Sequence, residues 1–236
     1  MKCEEIGYSS VKGSLHESNN TPNQDFYSVK RYKFGTVLVV SDGLGSKRHS
    51  DIGAKSVAKA VDKAVQIWYS YGEKDVRLLL PLIVSLWNIE IFPYETKDCG
   101  ATCLFTIIAN DGYVYAGQLG DGNIYISYGE QLHLVSTKED DFTNLTACMG
   151  GFKGYSDWSL KKIEIGKTPV DIVMMTDGVS ETIIEDKKEG FVRLLLRRIS
   201  SLPNLSTRNN FIYKILSEWN PVNAGVDRTL ICYRRK

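Results

Sequence analysis

Four apolar segments follow one another between residues 102 and 135 with only short polar gaps, and this spacing limits the fold more than any other feature of the chain. They cover 102–109, 113–119, 123–128 and 131–135 and are rich in Val, Ile, Thr and Tyr, residues that suit a pleated sheet. Asn110-Asp111-Gly112 and Tyr128-Gly129-Glu130 leave no room for a crossover helix, so the stretch predicts an antiparallel meander rather than a βαβ repeat. Further strand patterns lie at 35–41, 160–165, 171–176 and 229–233, and another begins at Phe26.

The helical patterns come in twos. Ala54, Val57, Ala58, Val61, Ala64, Val65 and Trp68 recur at helical spacing and predict one amphipathic helix over 51–70, ended by Gly72. A second pattern through Val76, Leu79, Leu80, Ile83, Leu86 and Trp87 stops before Pro93 and contains Pro81, which predicts a late start or a kink. Phe191, Leu194, Leu195, Arg198 and Ile199, then Phe211, Ile212, Ile215, Leu216 and Trp219, predict another pair broken at Pro203. With no Pro- or Ser-rich linker between these elements, the expectation is one α+β domain over residues 1–236. Its two antiparallel sheets would pack face to face, with one helix pair outside each.

Charge narrows the function. The 29 basic and 28 acidic residues leave a formal +1, so no field of one sign draws the chain to nucleic acid or to a membrane surface. Five cysteines at irregular spacing (Cys3, Cys99, Cys103, Cys148, Cys232) suit a reducing compartment, and Cys99 and Cys103 lack the partners of a zinc site. Glu4 and Glu5 stand where a signal peptide has its apolar core, and no apolar run reaches the roughly 20 residues of a spanning helix. A soluble, cytoplasmic protein is expected.

Three strand patterns run straight into Asp-Gly: Val37 to Asp42-Gly43, Tyr115 to Asp121-Gly122, and Asp171 to Asp177-Gly178. Asp227 precedes a fourth strand and Asp25 precedes the strand at Phe26. One such dipeptide alone is turn chemistry, and Asp111-Gly112 is read that way. Strand ends that converge on one rim crowd their carboxylates, however, and crowded carboxylates require neutralisation by a hard divalent cation such as Mg²⁺ or Mn²⁺. A glycine beside the aspartate lets a backbone carbonyl approach such an ion.

The order Gly13-x-x-His16, Pro22-Asn23-Gln24-Asp25, Asp42-Gly43-Leu44-Gly45-Ser46, Asp98-Cys99-Gly100-Ala101-Thr102, Leu119-Gly120-Asp121-Gly122, Thr176-Asp177-Gly178-Val179 and Asp227-Arg228-Thr229 resembles the metal-dependent type 2C serine/threonine protein phosphatases, especially a bacterial branch. The resemblance spans roughly residues 7 to 233. It implies a four-layer αββα sandwich of two antiparallel sheets flanked by helix pairs. It further implies two, or three, Mg²⁺ or Mn²⁺ ions. Asp42 would bridge two of them with the Gly43 carbonyl on one, Asp177 and Asp227 would hold one ion, Asp25 the other, and Asp121 with Asp177 a third. Gly100, Ala101 and Thr102 match a packing motif. The implied reaction is hydrolysis of phosphoserine or phosphothreonine by in-line attack of a metal-bridging water, with Asp42, Asp177 and Asp25 as the catalytic set. The implied partner is a phosphorylated protein, a serine/threonine kinase or its target, in bacterial signalling.

Three positions depart from the family pattern. Asn20 stands where many members carry a phosphate-clamping arginine, Gln24 where many carry glutamate, and Leu44 where some carry a histidine acid. His16, Lys12, Lys47 or Arg48 are the candidate replacements for phosphate binding. The departures keep two other readings in view: a catalytically weak module that binds phosphoproteins, and a phosphohydrolase of small phosphorylated molecules.

Overall fold

The structure is a computed structural model and describes residues 4–72, 75–135, 147–219 and 225–236. In chain order the first elements are β1 (Glu4–Val11), α1 (Ser14–Ser18), β2 (Phe26–Tyr32), β3 (Gly35–Ser41), α2 (Ser50–Ser70) and α3 (Leu79–Glu90). A run of strands follows: β4 (Cys103–Ala109), β5 (Tyr113–Leu119), β6 (Asn123–Tyr128), β7 (Gln131–Val135), β8 (Ser159–Glu164) and β9 (Val170–Met175). The chain closes with α4 (Asp177–Ser180), α5 (Glu185–Ser200), α6 (Leu205–Ser217) and β10 (Arg228–Arg235). Among the described residues, two five-stranded antiparallel sheets with six helices make this an α+β fold.

The chain forms two compact units. One comprises Gln24–Asp121 and Val135–Gly166 and holds the sheet β2-β3-β4-β5-β8. All seven apolar residues expected on the α2 stripe are buried, against Val37, Val39, Phe105 and Ile107 of the sheet and Leu79, Leu80, Ile83 and Trp87 of α3. Pro81 falls in the first turn of α3, where its missing N–H has no helical acceptor to lose, so the helix starts late and is not broken. Trp87 ties the helix pair together by donating Nε1–H to the Gly53 carbonyl at 3.1 Å.

The other unit comprises Met1–Asn23, Gly122–Leu134 and Lys167–Lys236 and holds the sheet β1-β10-β9-β6-β7. Helices α5 and α6 bury Val192, Leu195, Leu196, Ile199, Ile212 and Leu216 beside Val173, Met175, Leu230 and Cys232. The α5 stripe is rotated from the expected one: Leu194 is 60 % exposed and Arg198 faces solvent, while Val192 and Leu196 take the inner positions. Strand β1 is absent from the sequence reading. Its polar and small residues, Glu4-Glu5-Ile6-Gly7-Tyr8-Ser9-Ser10, hide it, yet it pairs along its full length with β10. A Cβ on Gly7 would come 2.9 Å from Ile199 and 3.1 Å from Ile212, so the glycine lets the helix pair close on this strand.

The meander expected over 102–135 is divided. Strands β4 and β5 form the predicted hairpin at Asp111-Gly112, but β6 and β7 belong to the other sheet. The break falls at Gly120-Asp121-Gly122, where both glycines adopt positive φ (91° and 92°) and turn the chain out of the β5 direction. The stretch 137–158, whose mixed charges, glycines and Trp158 predict a loop or flap near the metal rim, lies partly outside the described residues. Within the described part, Trp158 is buried near Phe105, with ring centroids 6.4 Å apart, and serves the core rather than a surface flap. The cysteines of the described residues are all buried and free, Cys3 lying outside them, and burial pushes the Cys103 and Cys232 thiols up. No helix among the described residues is long and apolar enough to cross a membrane.

Two helical glycines have opposite expected effects. A Cβ on Gly53 would lie 1.9 Å from the Cys99 carbonyl oxygen, whereas one on Gly190 of α5 meets nothing within 4 Å. Gly53→Ala should therefore destabilise by about 1–3 kcal/mol through overpacking. Gly190→Ala should stabilise by about 0.5–1 kcal/mol through helix propensity. Urea midpoints of the two variants against the parent protein check both signs.

Candidate metal centre

In the unit built on β2-β3-β4-β5, the aspartates sit on successive rows at one end of the sheet. Phe26 pairs with Ser41, so the same register one residue further sets Asp25 against Asp42, and Gly43 donates its N–H to the Gln24 carbonyl at 3.1 Å. Cys103 pairs with Leu119, so Thr102 stands against Gly120. Gly43 and Met149 both bridge to Ala101. Asp25 is buried, while Asp42 and Asp121 are half-buried.

Thr102 grips Asp42. Its Oγ1 accepts the Asp42 N–H at 2.8 Å, its own N–H donates to the Asp42 carbonyl at 2.8 Å, and its carbonyl accepts the Ser41 hydroxyl at 2.6 Å. Its methyl faces Gly120, where a Cβ would come within 2.7 Å of Thr102 Cγ2. One buried side chain thus touches the backbone of Asp42 and the turn that carries Asp121. The sequence reading placed Thr102 in a packing motif only; the hydroxyl, which packing alone does not require, was the available signal.

The glycines after the aspartates serve packing more than was expected. A Cβ on Gly43 would lie 2.6 Å from the Ser50 carbonyl at the start of α2, and one on Gly178 would lie 2.1 Å from the Asp227 carbonyl. Each glycine lets a helix start close against a neighbouring segment.

In the other unit, Asp177 opens α4 directly after β9, and its Oδ1 accepts the Gly178 N–H at 2.6 Å. The adjacent strand is locked to it: Thr176 donates its N–H to the Thr229 carbonyl at 3.1 Å, and its Oγ1 accepts the Thr229 N–H at 3.0 Å. Asp227 is buried at 5 % exposure, its Oδ1 accepting the Gly13 N–H at 2.7 Å and its Oδ2 pairing with His16 Nδ1 at 2.9 Å. His16 therefore orders the segment 13–16 around Asp227. Lys12 follows β1 and stands opposite Asp227 in register, since Val11 pairs with Arg228. Asn20, at the position of the family's arginine, is exposed with φ 55°, a left-handed turn conformation that asparagine tolerates. Arg48 is exposed ahead of α2, and Leu44 donates its N–H to the Gly100 carbonyl at 3.0 Å.

Asp42 and Asp121, both in the unit built on β2-β3-β4-β5, each offer one carboxylate oxygen within 4.8 Å of the other, and this acidic pair could bind a metal ion. A like-charged pair at that spacing repels by about 3 kcal/mol or more at an effective dielectric near 20. An all-oxygen donor set under that repulsion suits a hard divalent cation.

A protein-family profile described as Protein phosphatase 2C matches residues 12–217. The chain belongs to that family. Solved structures agree on the fold. The likeness to PppA, a regulatory component of the T6SS in Pseudomonas aeruginosa, has a TM-score of 0.69 at 14 % identity and covers 99 % of this chain and 98 % of that one. The catalytic domain of the serine/threonine protein phosphatase PstP, in complex with two manganese ions, gives 0.63 at 14 % over 100 % and 99 %. RsbX in complex with magnesium gives 0.63 at 13 % over the whole of both chains. None of the curated proteins searched matches the chain.

Thr102 supplies a test of the site's construction. Thr102→Val keeps the shape but strands the buried Asp42 N–H, so it should lose about 1–3 kcal/mol of stability. It should also weaken Mn²⁺ binding about tenfold or more, as loss of a supporting hydrogen bond behind a metal ligand does. Thr102→Ser should keep most of both. Chemical denaturation and Mn²⁺ titration followed by electron paramagnetic resonance measure the two effects.

Proposed function

We propose that the protein is a Mg²⁺- or Mn²⁺-dependent phosphatase of phosphoserine and phosphothreonine in proteins. The observation that carries this reading is the acidic pair of Asp42 and Asp121 at one end of the β2-β3-β4-β5 sheet, in a chain of the type 2C family. By the family resemblance, Asp42, the Gly43 carbonyl, Asp121 and Asp177 would each help to hold the ions. Asp25, buried and in register with Asp42, and Asp227, fixed by Gly13 and His16, complete the donor set.

Bound divalent ions, two or three of them, would lower the pKa of water towards neutrality and screen charge on the phosphoryl oxygens. The protein's own residues do the positioning. Asp42 is held at both backbone atoms by Thr102, so its carboxylate stays in place as charge develops at phosphorus. Asp177 is held by the α4 start and by the Thr176–Thr229 pair. The partner would be a phosphorylated protein, a serine/threonine kinase or its target. A phosphoprotein-binding module is the second reading, and it is favoured by Asn20, whose turn conformation offers no cation to a phosphate.

The two readings part on turnover. Mn²⁺-dependent release of phosphate from a phosphothreonine peptide is expected, falling to background with EDTA and in Asp42→Ala and Asp177→Ala. Binding of the phosphopeptide without any release at millimolar Mn²⁺ would replace the enzyme with the module. Faster release from phosphorylated metabolites than from peptides would move the substrate class to small molecules.

A further inference from the structure

Asn20 carries no charge and makes a turn, so the position of the family's arginine supplies no cation to the substrate phosphate. We infer that Lys47 supplies one, its ammonium binding the phosphate monoester from the side of Asp42 and Asp121. The assignment rests on the phosphatase reading above and adds the residue that recognises the phosphate.

Four observations within one unit lead to Lys47. Its N–H donates to the Leu44 carbonyl at 2.8 Å, closing a turn directly after Asp42-Gly43. Its aliphatic stem lies across Gly100, where a Cβ would come 3.3 Å from Lys47 Cγ and 3.6 Å from Cε. Gly100 accepts the Leu44 N–H and stands two residues before Thr102, which grips Asp42, so the stem rests on the same backbone that holds the predicted ligand. Among the described residues, the Lys47 ammonium makes no hydrogen bond or ion pair, whereas Lys59 and Lys63 share Glu90 and Lys97 pairs with Glu95.

Cys148 borders the same point over Gly100 as the lysine stem. Its Sγ lies 3.5 Å from that point, so the thiol and the lysine stem lie side by side. Burial pushes the Cys148 thiol up, and the positive charge of Lys47 pulls it down. A half-buried lysine with a packed stem loses less freedom on binding than a solvated one. It acts as a point charge and lacks the two-pronged geometry of arginine, so it suits a dianion already oriented by metal ions.

Lys47→Met keeps the stem and removes the charge; Lys47→Arg keeps the charge. Isothermal titration of inorganic phosphate into the Mn²⁺-loaded protein should show about tenfold weaker binding for Lys47→Met, the size of one charge-assisted hydrogen bond. KM for a phosphothreonine peptide should rise by a similar factor, with Mn²⁺ affinity and melting temperature unchanged. Lys47→Arg should stay close to the parent, as should Lys55→Met, which alters an exposed position on α2. Unchanged phosphate affinity and KM in Lys47→Met would overturn the assignment while leaving the phosphatase reading intact. A parallel loss of Mn²⁺ affinity or melting temperature would also overturn it, by showing a structural role. A parent protein with no Mn²⁺-dependent turnover removes the phosphatase reading and the assignment together.

Discussion

Carboxylates gathered within a few ångströms push one another apart, so their positions have to be imposed by the backbone. In the β2-β3-β4-β5 sheet this is done by register: one row carries Asp25, Asp42, Thr102 and Gly120, and the next carries Gly43 and Ala101. Thr102 closes that row with a hydrogen bond at each backbone atom of Asp42 and a methyl group against Gly120. The strand ends and the turns directly after them therefore hold the aspartates of this unit. This matches the general advantage of rigid elements in holding charges that would otherwise separate.

The second unit solves the same difficulty with different contacts. Asp227 is buried and has a partner at each oxygen, a backbone N–H from Gly13 and the ring of His16. Asp177 begins a short helix and is braced by the Thr176–Thr229 pair of the neighbouring strands. His16 orders a carboxylate through Nδ1, and an asparagine in the position of the family's arginine makes a turn. The uncharged asparagine turns the question of phosphate recognition to the segment after Asp42, where Lys47 lies.

Much of the fold was legible because its elements carry strong periodicity. The α2 stripe was read residue for residue, since a helix packed on a sheet along one face must repeat its apolar residues at that spacing. The α5 stripe was misread by about one position because Leu194 and Arg198 share the spacing of Val192, Leu195 and Ile199 in a helix with several leucines and arginines. Strand β1 escaped notice because it is stabilised by pairing with β10 and by a glycine under two isoleucines, neither of which leaves an apolar alternation. The division of the meander at Gly120-Asp121-Gly122 was hidden for a related reason. An Asp-Gly dipeptide serves a hairpin at Asp111-Gly112 and an exit from the sheet at Asp121-Gly122, and the local residues are nearly the same.

Taken by itself, the sequence determined the pairing of the helices and the order of the strand-terminal aspartates, because both are local properties of the chain. It did not determine what each residue does at the site. That Thr102 holds Asp42, that His16 is engaged by Asp227, that Asn20 makes a turn and that the Lys47 stem lies over Gly100 were decided by tertiary structure. These roles depend on segments tens to hundreds of residues apart meeting at hydrogen-bonding and van der Waals distances, and no local pattern records those distances.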